Sequence, residues 1–322
     1  MPDEMSPADS QSPVVPDSPT PPPQKPSTLV TIFLGPNGIR AGWRLLIFFA
    51  VIFAVAFLTQ KILTHIPYIV SHFPPGKGPS ELTPGFAMFG EGLMLFCLLA
   101  AVLIMSLIEK RSFADYGLPG GQFLGKRFWQ GVPYGFAMLS LLLVAIWAFH
   151  GYSLGSDSLT TGAALHYGIL YGIVFLLVGL FEEFWFRGYM QVTLGSGIGF
   201  WFAAILLSIG FGAIHLGNSG EAKFGAAMAG AFGLLAAFAL LRTGNLWFPI
   251  GMHAGWDWAE TYFYGTPDSG LLAKGHLFSA SFHGANWVTG GTVGPEGSYF
   301  VPVVLVLGAV GIHFLFPAKQ KA

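Results

Sequence analysis

Phe181-Glu182-Glu183-Phe184-Trp185-Phe186-Arg187 sits inside the apolar run Ala164–Leu194, and what that run can be decides the fold. About 20 apolar residues suffice to span the hydrocarbon of a bilayer. A charge at the bilayer centre costs about 2.5–3.5 kcal/mol on insertion scales, so two adjacent glutamates there need pairing, protonation or water. On a helix, Glu183 and Arg187 are four apart and share a face, which allows an ion pair. Glu182 points about 100° away, toward a different neighbour. The doublet therefore divides into one carboxylate held structurally and one left for proton transfer.

The rest of the chain has the composition such a reading requires. Of 322 residues, 10% are charged, 53% hydrophobic and 16% aromatic, and mean hydropathy is +0.61. Soluble domains carry roughly 25% charged residues. A soluble enzyme of this length is excluded. A nucleic-acid binder is excluded too, because 15 basic against 16 acidic residues give no positive field. One cysteine, Cys97, leaves no intramolecular disulfide and no cysteine-based zinc cluster.

The fold class that remains is all-α, a polytopic transmembrane helix bundle of about eight spans. Residues 1–28, dense in Pro, Ser, Asp and Thr, are expected to be a disordered tail, with the bundle over 29–322. Apolar runs place spans at Trp43–Thr64, Phe86–Ile108, Gly131–Phe149, Ala164–Leu194, Phe200–Leu216, Phe224–Leu241, Leu246–Tyr264 and Phe300–Phe316, the third and fifth short. Gly265–Tyr299 reads as a long loop. Ten Lys and Arg residues against four place both termini on the cytoplasmic side. The sixth span carries Gly225, Ala229 and Gly233 at four-residue spacing, a surface for close helix packing.

Two further polar patches interrupt apolar spans: Phe211-Gly212-Ala213-Ile214-His215, and His253-Ala254-Gly255-Trp256-Asp257, which Glu260 continues on one face. Glu91 is a further acid near the start of the second span. If the fourth helix turns near Gly195–Gly199, Glu182 lies ~18 Å before that turn and His215 ~22 Å after it. From the next turn on the same side, Asp257 lies ~17 Å up the seventh helix. Antiparallel helices would bring Glu182, His215 and Asp257 to similar depth, with His253 one turn lower, so the four can converge in one buried polar pocket. A carboxylate with histidines in a dry site suits activation of water. The zinc motif His-Glu-x-x-His is absent, as are the serine and aspartyl signatures of other intramembrane proteases. Gly151-Tyr152-Ser153-Leu154-Gly155 matches Gly-x-Ser-x-Gly but falls in a connecting loop and carries little weight.

Glu182-Glu183-x-x-x-Arg187, Phe211-x-x-x-His215 and His253-x-x-x-Asp257, in that order on separate apolar helices, resemble the CAAX-protease and bacteriocin-processing family of intramembrane glutamic endopeptidases. The similar layout covers about residues 164–264. The resemblance implies hydrolysis of a peptide bond in a membrane-associated peptide or protein by an integral protein of a bacterial cytoplasmic membrane. It further implies that Glu182 activates water with His215, that His253 and Asp257 stabilise the oxyanion, and that Glu183, Arg187 and Phe211 support them. Family members acting on prenylated proteins carry Asn at the last motif position. With Asp257 there, the side chain must be protonated to donate, or must orient His253. No cofactor is implied. The alternatives are a zinc protease that uses Glu182, His215 and His253 as ligands, and a non-catalytic membrane scaffold or immunity protein.

Overall fold

The structure is a computed structural model that describes residues 28–36, 38–73, 82–156, 159–217, 223–268 and 272–317. The tail expected over 1–28 lies outside the described residues up to position 27. Contacts divide the chain into two units, Met1–Arg40 and Ala41–Ala322. In the first, a helical turn Thr28–Phe33 leads into paired strands Leu34–Gly35 and Gly38–Ile39. The Arg40 guanidinium donates to the Thr31 carbonyl at 2.8 Å.

The second unit contains the eight expected apolar helices. They are α1 Ala41–Leu63, α2 Pro84–Glu109, α3 Lys126–Ala148, α4 Thr161–Ile198, α5 Phe200–His215, α6 Lys223–Thr243, α7 Trp247–Asp257 and α8 Val301–Leu315. Helices α1 to α4 and α6 are long and apolar enough to cross a bilayer; α5 and α8 are shorter apolar helices. Phe53, Phe57, Leu107, Phe202 and Phe314 are each more than 60% exposed on these helices. In water such a surface would aggregate, whereas in lipid it is the expected exterior. The protein is an integral membrane bundle.

Two expectations need correction. The third span is not short: α3 starts at Lys126 and runs 23 residues, because Lys126 and Arg127 occupy a polar first turn ahead of the apolar stretch. The segments read as loops pair as strands, β1 Tyr152–Ser156 antiparallel to β2 Phe278–Phe282, with Tyr152 opposite Phe282. Their Tyr and Phe side chains meet with ring centroids 5.6 Å apart, a favourable cross-strand pair. Gly151-x-Ser153-x-Gly155 thus lies on an exposed ribbon rather than a strand-to-helix elbow.

Helix α7 is held by glycine on both sides. Gly131 and Gly135 of α3 face Gly251 and Gly255 of α7 so closely that a Cβ at any of the four would overlap the opposing backbone. On the other side, a Cβ at Gly179 of α4 would come 3.0 Å from the Ile250 carbonyl oxygen. The small-residue spacing noted in the sixth span also packs: Gly230 meets α5 at the Ser208 carbonyl, and Gly212 of α5 meets the Ala226 carbonyl. Without a hydrophobic driving force between helices in lipid, such backbone approach supplies the van der Waals contact that fixes neighbours. His253 stands midway between Gly251 and Gly255, on a backbone with little room to shift.

Candidate functional site

Two of the polar motifs end in a wider helical turn. α4 is π-helical over Phe184–Met190, directly after the glutamate doublet, and α7 continues as a π-helix over Trp258–Phe263, directly after Asp257. Such turns concentrate at functional sites, where they shift side chains out of α register.

The doublet splits as its spacing requires. Glu183 is fully buried; its Oε1 accepts from Arg187 Nη1 at 3.3 Å and from His253 Nδ1 at 2.9 Å. A carboxylate paired with arginine can only accept, so His253 carries its proton on Nδ1 and turns Nε2 elsewhere. That nitrogen lies 3.6 Å from Glu182 Oε2 and 3.5 Å from Asp257 Oδ2. Arg187 is pinned in turn: Nε donates to the Gly233 carbonyl at 3.2 Å, and its guanidinium carbon sits 4.1 Å from the Phe211 ring centroid. The guanidinium occupies the space a side chain at position 233 would fill. Gly233, read from spacing as a packing residue, therefore also seats Arg187.

The Phe211 ring lies between Arg187 and His215, with its centroid 4.6 Å from the imidazole. His215 Nδ1 is 2.8 Å from the Phe211 carbonyl. A carbonyl only accepts, so Nδ1 carries the hydrogen and Nε2 is left without it. Glu182, His215, His253 and Asp257 all line one cavity of about 630 Å³, whereas Glu183 and Arg187 do not. The four residues whose depths along their helices allow them to converge thus line one chamber. Glu260, which continues their helix face, is fully buried and accepts from Trp256 Nε1 at 2.9 Å instead of lining the cavity.

The same chamber holds carboxylates to which sequence reasoning gave no role: Glu91 from α2, and Asp268 and Glu296 from the segment read as a loop. Glu91 was visible as an acid inside an apolar span. Asp268 and Glu296 had no signal, since acids in loops are ordinary. Asp268 accepts from the Thr261 hydroxyl at 2.9 Å, and Glu296 from Trp256 Nε1 at 3.1 Å. Burial pushes the Asp268 carboxyl above the usual carboxylate range; the Thr261 hydroxyl acts against it, and Glu182 reinforces it. Among the described residues, no three His, Cys, Asp or Glu side chains are grouped to hold a metal ion.

Residues 165–259 match the family model described as type II CAAX prenyl endopeptidase, Rce1-like. The match covers less than a third of the chain, yet contains all three motifs and stops short of Asp268. Comparison with curated proteins finds no match. The chain carries a segment similar to that family within an integral membrane bundle.

Proposed function

We propose that this CAAX-type membrane endopeptidase is a glutamic, metal-independent hydrolase, with Glu182 as the base that activates water. The observation that carries this reading is the asymmetry of the doublet. Glu183 is consumed by Arg187 and His253, while Glu182 faces a chamber large enough for water and a peptide, 3.6 Å from His253 Nε2.

In the proposed reaction Glu182 takes a proton from water as the water oxygen adds to the scissile carbonyl carbon. Nε2 of His215 accepts a hydrogen bond from the same water and orients it. The carbonyl oxygen gains charge and is met by His253, donating from Nε2 in its doubly protonated form, and by protonated Asp257. As the C–N bond breaks, Glu182 returns its proton to the leaving amine. Glu183, Arg187 and Gly233 stand behind the chamber wall, and with Phe211, which lines it, they hold the ring of His253 and the face of α5. The substrate is a membrane-associated peptide or protein presented near the depth of the chamber, and the excess of Lys and Arg supports an orientation with both termini in the cytoplasm, in a bacterial cytoplasmic membrane.

The test is cleavage of a bilayer-anchored reporter peptide by purified protein stripped with EDTA and phenanthroline. Cleavage that survives stripping and disappears in Glu182→Gln is expected. Activity lost on stripping and restored by zinc overturns the metal-free version. Full activity in Glu182→Gln overturns both enzyme readings and favours a scaffold.

A further inference from the structure

The chamber is lined by five carboxylates, Glu91, Glu182, Asp257, Asp268 and Glu296, by His215 and His253, and by no lysine or arginine among the described residues. The nearby cation, Arg187, is 2% exposed and committed to Glu183 and the Gly233 carbonyl. Protonated His253 offsets one charge at Glu182 and Asp257, and among the described residues no lysine or arginine lines the wall to offset the others. Asp257 is more than nine-tenths buried and faces the chamber. It meets no hydrogen-bond donor among the described residues, its nearest approach being the 3.5 Å to His253 Nε2. It is a buried polar group left for something that enters.

Three of the five acids, Glu91, Asp268 and Glu296, fall outside the family-matched residues 165–259. Their charge is a property of this chain rather than of the matched segment. A peptide side chain that enters a wall of this chemistry meets acidic groups from three elements, and its complement is a cationic one. Resting on the protease reading above, we infer that this acidic wall makes the chamber select a peptide with a lysine or arginine side chain within a residue or two of the bond to be cut. The same wall repels an acidic residue at that position, and it disfavours a substrate whose free C-terminal carboxylate must enter. Glu91 and Asp268 are the specificity residues: they approach the site from α2 and from the segment after α7, while the reacting groups come from α4, α5 and α7. In a low-dielectric site, complementary charge rewards the right partner and like charge rejects the wrong one.

The experiment measures affinity in proteoliposomes, using the Glu182→Gln protein as a trap. The ligands are three reporter peptides that differ at one position, carrying lysine, norleucine or glutamate. The lysine peptide is expected to bind about tenfold tighter than norleucine, and glutamate weakest. Adding Asp268→Asn, or separately Glu91→Gln, is expected to bring the lysine-to-norleucine ratio toward one. Two single variants guard against a fold defect in either. Equal affinities for lysine and norleucine overturn the inference whether or not any peptide is cleaved. A lysine preference without cleavage by the wild-type protein upholds it and overturns the protease reading instead.

Discussion

Two of the groups of charged side chains buried in this bundle are finished differently. In the first, Arg44 of α1 is paired with Glu109 at the end of α2 and also reaches Ser196 at 3.3 Å and Thr193 at 3.4 Å. Glu109 accepts in addition from the hydroxyls of Tyr116 at 3.1 Å and Tyr189 at 2.6 Å. Each charge has several partners, all supplied by packed side chains. In the second, among the described residues, Glu182 and Asp257 share the His253 imidazole at 3.6 and 3.5 Å, and both open onto a chamber of about 630 Å³. Charge in a membrane span is thus not enough to mark chemistry. A cluster in which each charge has several packed partners clamps helices together; one that opens onto a chamber is arranged to receive a ligand.

That contrast is sharpened most by Glu182→Gln. The substitution keeps size and removes the base, so cleavage is expected to fall on the order of 10²–10⁴-fold with little change in Tm. The first cluster should respond the other way. Arg44→Ala leaves Glu109 buried without its charged partner and is expected to destabilise the bundle by about 3–5 kcal/mol, read as a drop in Tm. The rate per folded molecule should hold. Gly135→Ala tests the link between the regions. Its Cβ overlaps the Met252 carbonyl beside His253, and such overpacking costs about 1–3 kcal/mol. It is expected to lower Tm and, by displacing α7, cleavage as well.

The smallest effect is on pH. Asp268, raised by burial, faces Glu182, His253 and His215 and bonds to Thr261. A cationic peptide favours its ionised form, so binding releases a proton below that raised value. The lysine-to-norleucine preference is therefore expected to grow as pH rises through it, and to be flatter with pH in Asp268→Asn. A preference that falls with rising pH breaks the assignment.

Much of this was legible before any coordinates. Apolar length located all eight helices, because hydrocarbon thickness is a strong constraint on sequence. Spacing alone separated Glu183, paired with Arg187, from Glu182, and helical rise put His215 and Asp257 near its depth with His253 one turn lower. What sequence did not reveal were contacts between distant segments. Asp268 and Glu296 are ordinary loop acids until the chain folds back over the chamber, and Tyr152–Ser156 finds its partner strand more than a hundred residues later. Gly131, Gly135, Gly251 and Gly255 were readable as two small-residue pairs, but among 44 glycines nothing marked these four. The Arg44–Glu109 pair joins the two ends of separate spans and has no local signature.

The most direct measurement is cleavage rate and Tm on the same samples of Glu182→Gln and Glu109→Gln. The expected result is crossed: Glu182→Gln loses cleavage and keeps its Tm, while Glu109→Gln loses Tm and keeps the rate per folded molecule. A Glu182→Gln protein that cleaves within about tenfold of wild type, or that loses as much Tm as Glu109→Gln, contradicts it.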